Sequence, residues 1–324
     1  MDLSLTDEQR LLRDTAARFF RDASPLERVR AAEPLGFDAG LWQGVVELGL
    51  PLLADEHGLI DRCLVCAEAG RHLAPVPLIE TLAARRLVPT PPPAEAMLAF
   101  APRPAVDGRW EMVPAGAIAT AVVGIDGDRL LLVHSGRPRR DRPMSNLGCA
   151  PLAHRSTSNG RATVLAEGAE AHRRFRAVRD EWRVMTAAAL VGLAERALDI
   201  AVGHVTQREQ FGVPIATFQT VAHRLADLAT AVDGARLLVH KAAWAHDEGD
   251  AGAPTLAAMA FLFAAETAER AAGDSLHLHG GYGFTLEYDI QLFYRRAKAW
   301  PLVAGSPRRE IQDLAAALVA APEA

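Results

Sequence analysis

Between residues 184 and 242 the apolar positions fall into two helical series separated by a break. Val184, Ala187, Val191, Ala194, Leu198, Ala201 and Val205 recur at steps of three and four, as do Val221, Leu225, Leu228, Val232, Ala235, Val239 and Ala242. Each series predicts one buried face of a long helix, over Val184–Thr206 and Thr220–Glu248. Gly212 and Pro214 interrupt the pattern, so the spacing predicts a turn joining two antiparallel helices. That turn holds a cation (Arg208), an aromatic face (Phe211) and an amide (Gln219) at one helix junction. Such groups suit a phosphate and an adenine or flavin ring. Taken alone, the residues favour a plain helix hairpin with Arg208 solvated.

The same periodicity predicts helices over Pro254–Leu278 and Arg308–Val319 and a shorter one near Asp289–Ala299, making residues 167–324 an antiparallel helix bundle. Residues 1–95 read as a helical domain. Thr6 followed by Gln9 is a capping-box pattern, and that helix runs through Leu12, Ala16, Phe19 and Phe20. Asp38 starts a helix carrying Leu41, Trp42, Val45 and Leu48, which Gly49 and Pro51 end; two more are expected over Leu59–Leu73 and Pro77–Val88. Pro89 to Pro93 is a linker, because proline at that density cannot continue a helix. Residues 96–166 change character, with short β-prone runs at Trp110–Val113, Ile118–Ile125 and Leu130–His134 and a hairpin signal at Asp126-Gly127-Asp128. The expected fold class is therefore mainly α, with a small β domain between two helical ones.

Composition narrows the function. At 324 residues, half of them hydrophobic, the chain can bury a large core, and a net charge of −5 leaves no basic footprint for nucleic acid. No apolar run reaches membrane-spanning length, the polar start Met1-Asp2-Leu3-Ser4 is unlike a signal peptide, and three cysteines make no disulfide framework. The expectation is a cytoplasmic protein. Cys63 and Cys66 have redox or zinc spacing but no second pair, and their i, i+3 placement in an apolar helical pattern predicts two buried thiols. His277 and His279 lie two apart, on different faces of a helix, so no metal site is expected.

Arg208-Glu209-Gln210-Phe211-Gly212 with Phe218-Gln219, followed by His223 and Leu225-Ala226-Asp227, resembles the C-terminal signature of acyl-CoA dehydrogenases. A second signature of that family follows at the expected distance, His277-Leu278-His279-Gly280-Gly281-Tyr282-Gly283-Phe284, continuing through Tyr288-Asp289 to Arg295-Arg296-Ala297-Lys298. The N-terminal order also matches, with Leu5-Thr6-Asp7-Glu8-Gln9, Leu41-Trp42 and Glu56-His57-Gly58. The resemblance implies the family's fold, of helical domain, β domain and helix bundle, and FAD as cofactor. It implies that Arg208, Gln210, Phe211, Phe218, Gln219, His277, Gly280 and Gly281 meet the ADP half of a flavin held mainly by a neighbouring subunit. His277 stands where the family has a glutamine and can still donate one hydrogen bond.

In two respects the sequence departs from the family. The Thr-Glu-Pro-Gly-like and Trp-Ile-Thr-Asn-like segments that wrap the flavin ring are absent, and Gly108 to Val113 is at most a remnant of the second. Removing the weakly acidic C2 proton of a thioester needs a carboxylate base, yet both positions where the family places one are empty. The residue after Ala297-Lys298 that should be Glu is Ala304, and the residue before Arg183 is Trp182. Glu181, one position back and expected as an exposed helix-start carboxylate, is a weak candidate, with Glu287 as another. The implied reading is a non-catalytic subunit of a hetero-oligomeric acyl-CoA dehydrogenase. It completes the flavin site of a longer partner that carries the base and the acyl-CoA and passes electrons to an electron-transfer flavoprotein. The Leu-His-Gly-Gly form at 278–289 resembles subunits of actinobacterial steroid side-chain degradation. A self-sufficient enzyme with another base and a purely structural partner remain open.

Overall fold

The computed structural model describes residues 4–90, 92–134 and 144–320. The residues Met1–Leu3 of the polar start and Pro91 of the linker lie outside them. Six helices come first: α1 (Asp7–Ala23), α2 (Leu26–Ala32), α3 (Ala39–Glu47), α4 (Leu53–Glu56), α5 (Leu59–Arg71) and α6 (Leu78–Arg85). The expected starts are visible atom by atom. Gln9 N donates to Thr6 Oγ1 at 3.2 Å while Thr6 N donates to Gln9 Oε1 at 3.1 Å, and Leu41 N donates to Asp38 Oδ1 at 2.8 Å. Both features satisfy donors that a helix N-terminus leaves over. Cys63 and Cys66 lie in α5 as free, buried thiols.

Strands β1 (Leu98–Phe100), β2 (Arg109–Val113), β3 (Ala121–Asp126), β4 (Arg129–His134), β5 (Ala153–Ser156) and β6 (Arg161–Glu167) follow. They form a sheet ordered β1-β3-β4-β6 and a separate β2–β5 pair. β1 runs parallel to β3, the other neighbours antiparallel. Asp126 pairs with Arg129 across the expected turn, with Gly127 at φ 58°. Residues 121–125 of β3 are buried without alternation, as a strand covered on both faces requires. Trp110 of β2 is fully buried, its Nε1–H donating to Ile125 O at 2.9 Å.

The remainder is helical: α7 (Gly168–Gln207), a hairpin of β7 (Glu209–Gln210) and β8 (Val213–Pro214), then α8 (Gln219–Asp247), α9 (Ala253–Leu278), α10 (Ile290–Ala299) and α11 (Pro307–Ala320). α7 departs from expectation, starting 16 residues before Val184. Its first half is rich in arginine, which hid a buried stripe of Ala171, Phe175, Val178 and Trp182 at helical spacing. α7 is the spine of the molecule, packing against α5, α6, α8, α9 and α10 and along β3, β4 and β6. It meets α5 almost backbone to backbone. A Cβ on Gly192 would stand 1.9 Å from Ala67 O, and one on Gly70 would stand 2.0 Å from Ala189 O. Only glycine permits that approach.

Candidate functional site

The helix junction expected from the sequence is a β-hairpin. Arg208 N donates to His204 O at 2.9 Å, closing α7. The chain then extends, pairs Gln210 with Val213 and turns through Phe211 (φ 56°) and Gly212 (φ 80°). Left-handed backbone is routine for glycine and unusual for phenylalanine. The hairpin holds Phe211 out from the body, 94% exposed, with its ring edge-on to that of Phe218 at 6.2 Å. Arg208 is exposed and enters no ion pair among the described residues. Gln219 is exposed at the start of α8, and the Gln210 amide donates to the Glu209 carbonyl at 2.8 Å.

The second motif begins where α9 ends. His277 is exposed on the last turn, whereas His279 is buried. A backbone carbonyl only accepts, so the 2.7 Å contact of His279 Nδ1 with Ser275 O places a proton on Nδ1. Gly280 (φ 63°) and Gly281 have open space where a Cβ would be, so their backbone faces outward unobstructed. From α2, Arg30 ties down the segment that follows, donating to Leu286 O at 2.5 Å and pairing with Asp289 Oδ1 at 2.7 Å.

The structure brings the two motifs together through a residue that neither contains. His204, one turn before Arg208, stacks on His279 with ring centroids 4.0 Å apart and planes at 24°. Burial, His279 and Arg208 all push the His204 pKa down. The signal was its i, i+4 relation to Arg208, which places both at the same end of one helix face.

The two positions expected from the resemblance to hold a base, Trp182 and Ala304, lie in a different region. Trp182 and the turn residues Trp300, Leu302 and Val303, just before Ala304, border a cavity of about 290 Å³ between α5, α6, α7 and the segment 146–152. Its walls are mainly apolar. Two buried polar atoms at its border, Trp182 Nε1 and Thr186 Oγ1, have no hydrogen-bond partner among the described residues. Glu80 of α6 also faces the cavity, and burial pushes its carboxyl up to about 7. Sequence reasoning missed Glu80, because nothing along α6 distinguishes a cavity-facing carboxylate from a solvated one.

Glu181 is corrected. It sits mid-helix rather than at a helix start, and it is 3% exposed. Its carboxylate meets Arg62 Nη1 at 2.5 Å, Arg86 Nε at 3.3 Å and His246 Nε2 at 3.3 Å. Burial alone would raise its pKa, but the His246 hydrogen bond and the charges of Arg62 and Arg86 win and hold it at about 2. His246, hydrogen-bonded to Asp247 and Glu181, is raised to about 9, and Asp247 caps α5 through Leu59 N (2.7 Å) and Ile60 N (3.1 Å). Glu181 therefore locks helices together and is too weak a base to take a carbon-bound proton. Glu287 is exposed and away from the cavity, its carboxyl lowered by a hydrogen bond from Thr285. Among the described residues no cluster of His, Cys, Asp or Glu stands in position to hold a metal ion, and no helix is long and apolar enough to cross a membrane.

Comparison with known proteins covers the whole chain. Residues 175–319 match the family model described as acyl-CoA dehydrogenase, C-terminal domain. The acyl-CoA dehydrogenase IpdE2 of Mycolicibacterium smegmatis is 31% identical over 330 residues, spanning 96% of this chain and 99% of the relative. Among solved structures, the ChsE4-ChsE5 complex from Mycobacterium tuberculosis superposes with a TM-score of 0.86 at 22% identity over 100% of both chains. The Tcur3481-Tcur3483 steroid ACAD G363A variant superposes at 0.83 and 25% identity over 97% of this chain and 99% of its own.

Proposed function

The chain belongs to the acyl-CoA dehydrogenase family, and from that premise we propose that it is the non-catalytic subunit of a heteromeric FAD-dependent enzyme of the cytoplasm. One observation carries this reading. Arg208, Gly280 and Gly281 are each exposed, and the Arg208 guanidinium enters no ion pair among the described residues, while Trp182 and Ala304 stand where the family resemblance would put the base.

The residues fit one half of FAD. An exposed guanidinium and open glycine backbone, at helix ends joined by the His204–His279 stack, would together suit a pyrophosphate, which accepts charge-assisted hydrogen bonds from such groups. By the family resemblance Gln210, Phe211, Phe218, Gln219 and His277, all outside the buried core, would serve the adenosine end. The isoalloxazine half fits less well, because Trp110, in the remnant of the ring-wrapping segment, is spent inside the β layer. Bound FAD would supply the hydride acceptor for C3 of an acyl-CoA, with an electron-transfer flavoprotein as the onward acceptor. In this chain Arg208 anchors phosphate, the glycine backbone admits it closely, and the exposed aromatic side chains shield it from water. The longer partner supplies the base and binds the thioester. Likeness to the Tcur3481-Tcur3483 steroid ACAD supports a two-chain assembly and a bulky acyl group such as a steroid side chain.

The test is FAD retention by the co-expressed pair. Losing a guanidinium–phosphate contact costs about 1.5–3 kcal/mol, so Arg208→Ala should weaken FAD binding roughly 10- to 150-fold, with Arg208→Lys in between. Unchanged flavin content in Arg208→Ala would leave only the structural-partner reading.

A second reading is favoured by Glu80. A carboxyl with a pKa of about 7 facing an apolar cavity has the properties of a general base. On that reading the chain is a self-sufficient enzyme. Turnover by the chain expressed alone, abolished in Glu80→Gln, would establish it; a flavin-free, inactive preparation would remove it.

A further inference from the structure

We infer that His204 is a positioning residue for the cofactor cradle, its stack on His279 setting the spacing between Arg208 and the Gly280-Gly281 backbone. This rests on the reading of that cradle as the ADP-half site. The two halves belong to separate helix ends. Arg208 has left helical geometry (φ −77°, ψ 122°) and leads into an exposed two-residue strand, while Gly280 follows His279, the residue that caps α9, in left-handed backbone. The last turns are anchored by buried Val205 and Leu276, but Arg208 and Gly280 themselves lie exposed beyond them, so their mutual spacing depends on what joins the two ends.

The bridge is aromatic and continuous. His204 stacks on His279 at 4.0 Å, Tyr288 stands edge-on to His279 at 6.0 Å, and Tyr282 stacks on Tyr288 at 5.5 Å. The column starts one turn before Arg208 and ends inside the glycine segment, whose far side Arg30 holds. His279 cannot yield, because its Nδ1–H is committed to Ser275 O and its ring is buried. The nearby Arg224–Asp274 pair, at 3.6 Å, joins α8 to α9 and leaves the Arg208 end of α7 untouched. Burial, His279 and Arg208 all disfavour a charge on His204, which favours face-to-face stacking of its ring.

The experiment compares His204→Leu, which keeps the bulk without a ring face, with His204→Phe, which keeps the face. Both are made in the full chain co-expressed with its partner. His204→Leu should raise the Kd for FAD about 2- to 12-fold, the range set by the contribution of one aromatic pair, with subunit assembly unchanged and Tm lower by no more than a few degrees. His204→Phe should restore the parental Kd. In the Arg208→Ala background, His204→Leu should add nothing, because it acts through Arg208. Additive losses, failure of His204→Phe to rescue, or an unchanged Kd in His204→Leu while Arg208→Ala weakens binding would each overturn the inference. No effect of Arg208→Ala itself would instead overturn the cradle on which it rests.

Discussion

Two stretches of α7 treat charge in opposite ways. In the middle of the helix, Glu181 is enclosed by Arg62, Arg86 and His246, so its charge is consumed within the molecule. At the C-terminal end, Arg208 points outward with no partner among the described residues, beside a hairpin whose aromatic tip is held away from the core. A buried charge must be paired because desolvation costs several kcal/mol, whereas an exposed one can stay unpaired at little cost. The comparison teaches where a ligand anion could gain from binding. At Arg208 it would meet a cation already available; at Glu181 it would have to break a network.

The largest effect should come from breaking that network. Glu181→Ala leaves Arg62 buried and uncompensated and should cost about 3–5 kcal/mol of stability by denaturant unfolding. FAD retention per folded complex should stay at the parental level. A loss below about 1 kcal/mol would mean that the inner stretch is solvated like the outer one.

The same network sets a pH dependence. The Glu181 carboxyl is held at about 2, below its ordinary 4.5, so its stabilisation is complete above pH 4.5 and disappears as the pH falls towards 2. His246 is raised from 6.5 to about 9, so its contribution is complete below 6.5 and is lost as the pH rises through 9. Stability measured by urea unfolding should decline between pH 6.5 and 9, and His246→Gln should flatten that limb.

Glu80 sharpens the contrast, because it is half-buried at the cavity and enters no ion pair among the described residues. Burial raises it from 4.5 to about 7, so its protonated form suits the fold and stability falls as the pH rises from 4.5 through 7. Water reaching it through the cavity reduces the penalty. Glu80→Gln should stabilise the protein by about 1–2 kcal/mol at pH 8 and leave it unchanged at pH 4.5. Equal stability at pH 8 would place the carboxylate in water.

The smallest change in stability is expected at the tip of the hairpin. Phe211→Asn suits the positive φ and removes no buried surface, so unfolding should shift by no more than about 0.5 kcal/mol. FAD retention by the complex should nevertheless fall. A large stability loss would show that Phe211 belongs to a packed surface of this chain.

Much of this was legible along the chain. Helical periodicity located α8, α9 and α10 to within a residue or two, and the Asp126-Gly127-Asp128 signal placed the β3–β4 turn, because local spacing and turn chemistry act over a few residues. The motifs marked the Arg208 turn and the glycine segment as candidates. The first half of α7 was obscured by its arginines, which mask an apolar stripe whenever burial is assigned by residue type. Arg62 is such a case, fully enclosed despite its charge because Glu181 stands opposite, 119 residues away.

By itself the sequence determined the class of fold, the family, the absence of a carboxylate at Ala304 and Trp182, and the residues of the two motifs. Only the tertiary structure decided which groups are spent and which are free. Glu181, Arg208 and Glu80 are each one charged residue on a helix, and no local pattern separates them. What separates them is the neighbour brought in from elsewhere: Arg62 from α5 for Glu181, solvent for Arg208, an apolar cavity wall for Glu80. The His204–His279 stack is of the same kind, since its members are 75 positions apart in sequence and their ring centroids 4.0 Å apart in space. Electrostatics and stacking depend on distance through space, and the chain encodes that distance only once it has folded.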